Sequence, residues 1–142
     1  MTRINTIEPA DLLDQHLFAE YREITRIAST HKYIPVIPSH YLLGSGHMKF
    51  FYDKGLWLYN RLEALKAELA KRNRVRFTDK TYTKHIPGYN NDWQPDLNAH
   101  VTNIMRLDER LRQKPDFYTL NGKPVSISYY LNLVTKYKEL TQ

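Results

Sequence analysis

The chain has 142 residues, of which 42% are hydrophobic and 25% are charged, a balance typical of one folded globular domain. Its formal net charge is +6 and its pI is about 9.5, and a small basic domain attracts polyanions, of which nucleic acid is the commonest. The absence of cysteine excludes a disulfide scaffold, a thiolate nucleophile and a Cys-containing zinc site, and no stretch of about 18 apolar residues predicts a membrane span.

The first predicted helix spans residues 11–30, because Pro9 and Asp11 stand where a helix start favours them. At 100° per residue, one narrow stripe is apolar and should pack on the core; it holds Leu13, Leu17, Ile24 and Ala28. A neighbouring arc around the small Ala19 is polar, and it holds Gln15, His16, Arg22, Glu23 and Arg26. One helix face therefore collects two guanidinium groups, a carboxylate, an amide and an imidazole.

The second predicted helix runs from His47 to Arg72, with a bend at Gly55. The residues before it, 31–46, contain prolines and a glycine-flanked turn that reads as a helix start rather than as a phosphate loop. Leucines recur along the helix at helical spacing. Its charges alternate in sign, which predicts a solvated face; they are Arg61, Glu63, Lys66 and Glu68.

The third predicted helix spans residues 96–113, with Asp96 as its N-cap and Pro115 after its end. Its apolar face consists of Leu97, Val101, Ile104, Leu107 and Leu111. Residues 73–95 read as a loop, and residues 125–142 have no secure assignment. The sequence predicts an all-α fold: a single domain over residues 1–142, with three main helices and irregular loops.

Histidine side chains could bind a metal ion, and aromatic side chains could stack on bases. The six histidines are scattered and form no compact ligand set, so no metal site is expected. Trp57 and Tyr59 should belong to the core. Trp93, Phe117 and Tyr118 fall in loop-like stretches and could stack on bases, although packing is the better interpretation of each.

The N-terminus offers a nucleophile. A small residue after Met1 favours its removal, which would leave a free α-amine on Thr2 with an ordinary pKa of about 7.7–8.0. Such an amine can form a Schiff base with an aldehyde-like sugar carbon, and a carboxylate such as Glu23 can move the protons. The alternatives are an inert terminus and a surface ion pair between Glu23 and Arg22 or Arg26. No apolar signal core follows, so the chain is expected in the cytoplasm.

Two pairs of arginines, each spaced by one helical turn, suit bidentate contact with phosphates: Arg22 with Arg26, and Arg106 with Arg110. Arg3 adds a further cation near the start of the chain. The alternative is a face that only keeps the protein soluble. The basic pI makes nucleic-acid contact an equally good interpretation.

Several blocks of the sequence resemble a known family, the pyrimidine-dimer DNA glycosylases typified by endonuclease V of the T-even phages. The resemblance covers roughly residues 1–125. Its blocks are Met1–Asn5, Asp14–Leu17, Ala19–Glu23 with Arg26, Leu43–His47, Phe50–Lys54 and Arg106–Arg110, followed by Pro115, Tyr118, Gly122 and Lys123. The opening block and Phe50–Lys54 are the most specific.

The resemblance implies a compact all-α enzyme that acts on duplex DNA at cyclobutane pyrimidine dimers and abasic sites as a monomer, without metal or cofactor. Thr2 would attack the sugar C1′ carbon, and β-elimination would then cut the strand, with Glu23 as the essential acid. Residues implied in DNA binding are Arg3, Gln15, His16, Arg22, Arg26, Arg106, Arg110, Lys114 and Lys123.

The sequence departs from the family in two places. Residues 29–40 are short and carry Lys32 as their only formal cation, which weakens the expectation of sliding along DNA. Residues 128–142 lie beyond the resemblance and are expected to form a helix that packs on the body. The runner-up interpretations are a DNA-binding module of the same fold without the activity, and a basic structural or RNA-binding protein.

Overall fold

The computed structural model describes residues 3–28, 37–72 and 90–142. These residues are mostly helical, which confirms the all-α prediction. The helices are α1 (Asp14–Glu23), α2 (Thr25–Ala28), α3 (His47–Phe50), α4 (Gly55–Arg72), α5 (Leu97–Gln113) and α6 (Val134–Leu140), with short 3₁₀ helices at Pro9–Asp11, Gly44–Gly46 and Leu131–Leu133. A small antiparallel hairpin joins β1 (Thr119–Leu120) to β2 (Lys123–Pro124). Within the described ranges, no helix is long and apolar enough to cross a membrane.

The first helix begins later than predicted, at Asp14 rather than at residue 11. Residues Pro9–Asp11 form a separate 3₁₀ turn, and Leu12 is extended after it. Asp11 does not cap the helix, because its carboxylate accepts hydrogen bonds from Lys136 Nζ at 2.7 Å and from the Tyr137 hydroxyl. Ile24, between α1 and α2, keeps helical backbone angles and its amide donates to the Glu20 carbonyl oxygen, and residues 29 and 30 of the predicted helix lie outside the described residues.

The second predicted helix is two helices, so the expected bend at Gly55 is a break. Helix α3 ends at Phe50, a turn follows, and α4 begins at Gly55. The buried Lys54 ends α3, because its ammonium donates to the Phe50 carbonyl oxygen at 2.8 Å and to Asp53 at 2.9 Å. That ammonium also lies 3.8 Å from the centre of the Phe50 ring.

The predicted solvated face of α4 is wrong at Arg61, which is 7% exposed. Helix α4 packs against α1, and Arg61 reaches across to the carboxylate of Glu20. Charge alternation along α4 could not reveal this contact, because the partner lies 41 residues away on another helix. Further along, Glu63 and Lys66 form an ordinary i,i+3 surface pair.

The third helix is confirmed, since Asp96 caps α5 by accepting a 2.8 Å hydrogen bond from the Ala99 amide. Its apolar stripe meets the chain's C-terminal segment, where α6 packs on α5. Tyr130 and Tyr137 are almost fully buried there. The expectation of a packed C-terminal helix is therefore confirmed, and residues 128–142 contribute to the core.

Aromatic side chains fill the region between α3, α4 and the start of α5. Trp93 lies 5.0–6.0 Å, ring centre to ring centre, from its aromatic neighbours, which are Tyr41, Phe50, Phe51 and Trp57. Packing is therefore the confirmed role of Trp93 and Trp57. Tyr59 is 45% exposed, so its predicted place in the core is wrong; it lies off the leucine stripe of α4 that faces α1.

Candidate active site

The N-terminal segment, residues 3–8, is held by side chains from distant parts of the chain, and residues 4–7 of it are buried. The Ile4 amide donates to His47 Nε2 at 2.7 Å, and the Ile4 carbonyl oxygen accepts from the Tyr41 hydroxyl at 2.8 Å. Two residues later, the Thr6 amide donates to Asn103 Oδ1 at 2.7 Å. Thr2, the proposed nucleophile, lies outside the described residues, but the segment that carries it is fixed from Arg3 onward.

A cavity of about 240 Å³ lies where this segment passes between α1 and α5. Among the residues that line it are five that the sequence predicts for the functional site: Arg3, His16, Glu23, Arg106 and Arg110. Five of the eleven predicted site residues therefore meet at one cavity, although they come from three separate stretches of sequence. The mouth and floor also include Asn5, Glu20, Tyr41 and Tyr118.

Two carboxylates face the cavity, one helical turn apart on α1. Glu20 is 1% exposed and accepts three hydrogen bonds: from Arg61 Nε at 2.7 Å, from the Arg61 terminal nitrogen at 2.9 Å and from Asn5 Nδ2 at 2.8 Å. Glu23 is half-buried, and its Oε2 accepts from the Arg3 backbone amide at 3.2 Å. Glu20 is thus committed to the interior, whereas Glu23 stands beside the start of the chain.

Three arginines line the same cavity as Glu23: Arg3, Arg106 and Arg110. Burial lowers the pKa of Arg106, and the charges of Arg110 and Arg3 lower it further. This repulsion agrees with the shared cavity that the three guanidinium groups line. Because Arg61 already neutralises Glu20, the cavity keeps an excess of positive charge, which attracts a polyanion.

His16 contributes a neutral imidazole to the cavity wall. Its Nδ1 lies 2.6 Å from the Tyr130 hydroxyl, which also accepts a 3.0 Å hydrogen bond from the Leu13 amide. The Tyr130 hydroxyl can donate to Nδ1, and the imidazole hydrogen is then carried by Nε2. Burial, with the charges of Arg110 and Arg106, lowers the pKa of His16 to about 4.

One face of the His16 ring stacks on Tyr118. Its ring lies 4.4 Å from that of Tyr118, with 26° between the planes. Nε2 is buried and, within the described part of the chain, has no hydrogen-bond partner. The His16 ring is therefore held in one orientation on the cavity wall.

The other predicted DNA-binding residues do not line this cavity. Gln15 exchanges hydrogen bonds with Thr119, at 3.0 Å to its amide and 3.2 Å to its hydroxyl, and so ties α1 to the hairpin. The Arg22 guanidinium lies 4.8 Å from the centre of the Phe18 ring. The remaining three are exposed at the surface: Arg26, Lys114 and Lys123.

Sequence reasoning did not identify several residues that build the site. Asn103, Tyr41 and His47 all hold the N-terminal segment. No local pattern could have linked them to it, because each lies 37 or more residues away along the chain. Among the described residues, no group of three or more His, Asp or Glu is placed to hold a metal ion.

Comparison with models of known protein families matches residues 1–83 to the family described as pyrimidine dimer DNA glycosylase. The match covers more than half of the chain and includes Arg3, His16 and Glu23 of the cavity. Helix α5, with Arg106 and Arg110, lies beyond the matched residues and is brought to the same cavity by the fold. The chain therefore belongs to the pyrimidine dimer DNA glycosylase family and acts on DNA in the repair of DNA damage.

Proposed function

We propose that the protein is a bifunctional enzyme, a glycosylase with abasic-site lyase activity, and that the Thr2 α-amine is its nucleophile. The observation that carries this proposal is the 3.2 Å contact between the Arg3 amide and Glu23 Oε2 at the edge of a cationic cavity. Thr2 is joined to Arg3 by a peptide bond, so standard bond lengths keep its amine within about 4 Å of the Arg3 nitrogen. That distance supports an amine beside the Glu23 carboxylate.

The chemistry follows from an amine and a carboxylate that share one site. The amine nitrogen bonds to C1′ of the damaged nucleotide while the bond from C1′ to the base breaks, and the departing base takes up a proton. Loss of the sugar ring C1′–O4′ bond then gives an imine. Removal of a C2′ proton lets the C3′–O bond break, which cuts the strand by β-elimination. Glu23 is the group proposed to take and return these protons.

The surrounding residues suit a duplex that carries a damaged nucleotide. Arg3, Arg106 and Arg110 supply guanidinium groups for the phosphates that flank the lesion. A nucleotide reaches such a cavity only by leaving the base stack, which costs a few kcal/mol and least where the helix is already damaged. The proposed substrates are duplexes with cyclobutane dimers or abasic sites.

The whole chain, residues 1–142, is proposed as the working unit, and it is proposed to act as a monomer. The C-terminal segment holds the N-terminal one directly, since the Glu8 amide donates to the Tyr137 hydroxyl at 2.7 Å. Removing residues 128–142 would also take Tyr130 and Tyr137 out of the core.

Borohydride trapping tests the proposal. The purified protein is incubated with a duplex that contains one cyclobutane thymine dimer, and in parallel with an abasic duplex, and the reductant is then added. We expect a covalent complex whose peptide mass places the adduct on Thr2, in protein that lacks Met1. If Met1 is absent and neither duplex traps, the enzyme proposal fails, and a DNA-binding module of the same fold takes its place.

A further inference from the structure

His47 does not line the cavity, but its side chain hydrogen-bonds the N-terminal segment that does. The residue is 1% exposed, and backbone groups use both of its ring nitrogens. Nδ1 lies 2.8 Å from the Leu42 carbonyl oxygen, which can only accept, so Nδ1 carries the hydrogen. Nε2 is then a bare acceptor, and it receives the Ile4 amide at 2.7 Å.

The same short stretch of chain also holds the other polar group of Ile4. The Tyr41 hydroxyl donates to the Ile4 carbonyl oxygen at 2.8 Å, and the Tyr41 and His47 rings meet edge to face at 5.4 Å. The 3₁₀ turn Gly44–Gly46 connects the two side chains and delivers His47 to its place. Ile4 is therefore fixed at both its amide and its carbonyl, next to the residue whose amide meets Glu23.

Such a fixed point has a direct consequence for the proposed reaction. Two peptide units separate the Ile4 amide from the Thr2 amine, so a rotation at Ile4 would swing the amine by several ångströms. Misplacing a reacting group by about 1 Å can cost a reaction about 10²-fold. The hydrogen bond that the Ile4 amide donates to His47 Nε2 opposes that rotation.

We propose that His47 is a positioning residue for strand cleavage: its Nε2 fixes the Ile4 amide and thereby sets where the N-terminal amine stands relative to Glu23. This inference rests on the proposed function, because it assumes that the amine is the nucleophile. His47 touches neither the cavity nor, on this proposal, the substrate.

The test uses two substitutions that differ in where they place an acceptor. The Gln side-chain oxygen in His47→Gln lies near the position of Nε2, whereas the oxygen in His47→Asn lies near that of Nδ1. Single-turnover cleavage of a preformed abasic duplex is measured together with DNA affinity and the thermal midpoint. We expect His47→Asn to cut about 10²-fold more slowly and His47→Gln to remain within about tenfold of the unmodified protein, with DNA affinity changed less than about threefold in both.

Tyr137→Phe is the matched control. It removes the buried hydroxyl that accepts a hydrogen bond from the Glu8 amide. Glu8 is in the same N-terminal segment, four residues farther from the amine than Ile4. It should lower the thermal midpoint at least as much as His47→Asn and leave the single-turnover rate within about threefold. Equal rates for His47→Asn and His47→Gln, or an equal loss in Tyr137→Phe, would overturn the positioning role. If the unmodified protein neither cuts nor traps the abasic duplex, the proposed function fails instead.

Discussion

Glu20 and Glu23 stand one turn apart on helix α1, and the fold uses them in opposite ways. Glu20 is sealed in the interior, with three hydrogen bonds to Arg61 and Asn5. Glu23 faces the cavity edge, where its Oε2 meets the Arg3 amide. The two side chains are chemically alike apart from their surroundings. Which carboxylate can move protons is therefore decided by what already occupies its oxygens.

The arginines divide in the same way. Arg61 is buried against Glu20 and binds the Ile7 carbonyl oxygen at 2.6 Å, so its charge serves the interior. Arg3, Arg106 and Arg110 border the cavity beside Glu23, where positive charge is in excess. A buried pair fixes a structure once both partners are present, whereas an excess of like charge attracts a polyanion. Substitutions in the buried pair and in the cavity should therefore have different effects.

The largest effect is expected from Glu23→Gln. The amide keeps the shape of the carboxylate but cannot take up a proton at neutral pH, so single-turnover cleavage of a dimer-containing duplex should fall about 10²–10⁴-fold. Because the substitution removes a negative charge from a cavity lined by three arginines, DNA affinity should stay the same or rise. Glu63→Gln, on the exposed face of α4, is the control and should cut normally. Parallel losses of binding and cutting would contradict a proton-transfer role for Glu23.

On the buried side, Arg61→Met should cost about 3–5 kcal/mol of unfolding free energy. The reason is that the Glu20 carboxylate would remain in the interior without its charged partner. Urea unfolding at neutral pH measures the change. The double variant Glu20→Leu with Arg61→Met should recover a large part of the loss, because no lone charge is then left buried. If Arg61→Met alone were as stable as the unmodified protein, the Glu20–Arg61 pair would not be a buried ion pair.

For the cavity arginines, Arg106→Gln and Arg110→Gln should each weaken binding to an abasic duplex, and each should reduce the slope of log affinity against log salt by about one. Arg22→Gln is the comparison, because Arg22 lies over the Phe18 ring outside the cavity wall. We expect its effect on affinity to be smaller than that of either cavity arginine. An equal or larger effect would extend the DNA-contacting surface along α1.

The smallest effect concerns acid stability. Burial lowers the pKa of His16 and of His47 from 6.5 to about 4, so the folded protein binds fewer protons than the unfolded chain between those values. The stabilisation is complete above pH 6.5 and is lost as the pH falls towards 4, with a slope of about 1.4 kcal/mol per pH unit for each histidine. Replacing His47 with Gln should remove one such contribution from urea unfolding measured between pH 6 and pH 4.5. Identical slopes would contradict a buried neutral imidazole.

Much of the local structure was readable from the chain. The cap at Asp96 and the apolar period after it gave helix α5 correctly, because an N-cap acts on amides only two or three residues away. The break at Phe50–Gly55 was harder to see, since it depends on Lys54 turning back onto the Phe50 carbonyl and ring. The exposure of Tyr59 and the burial of Arg61 could not be predicted from the sequence, because both depend on which face of α4 meets α1.

The helical class, the basic charge, the blocks of family resemblance and an arginine-rich helix face with Glu23 can all be read from the amino-acid sequence. Which of those residues meet depends on the fold. It brought Arg106 and Arg110 to Arg3, His16 and Glu23, left Gln15 on the hairpin, and separated Glu20 from Glu23 by their partners. The two kinds of information differ in how far along the chain the interactions reach. Caps and periodicity act within a few residues, whereas the cavity is closed by contacts between residues up to about a hundred positions apart.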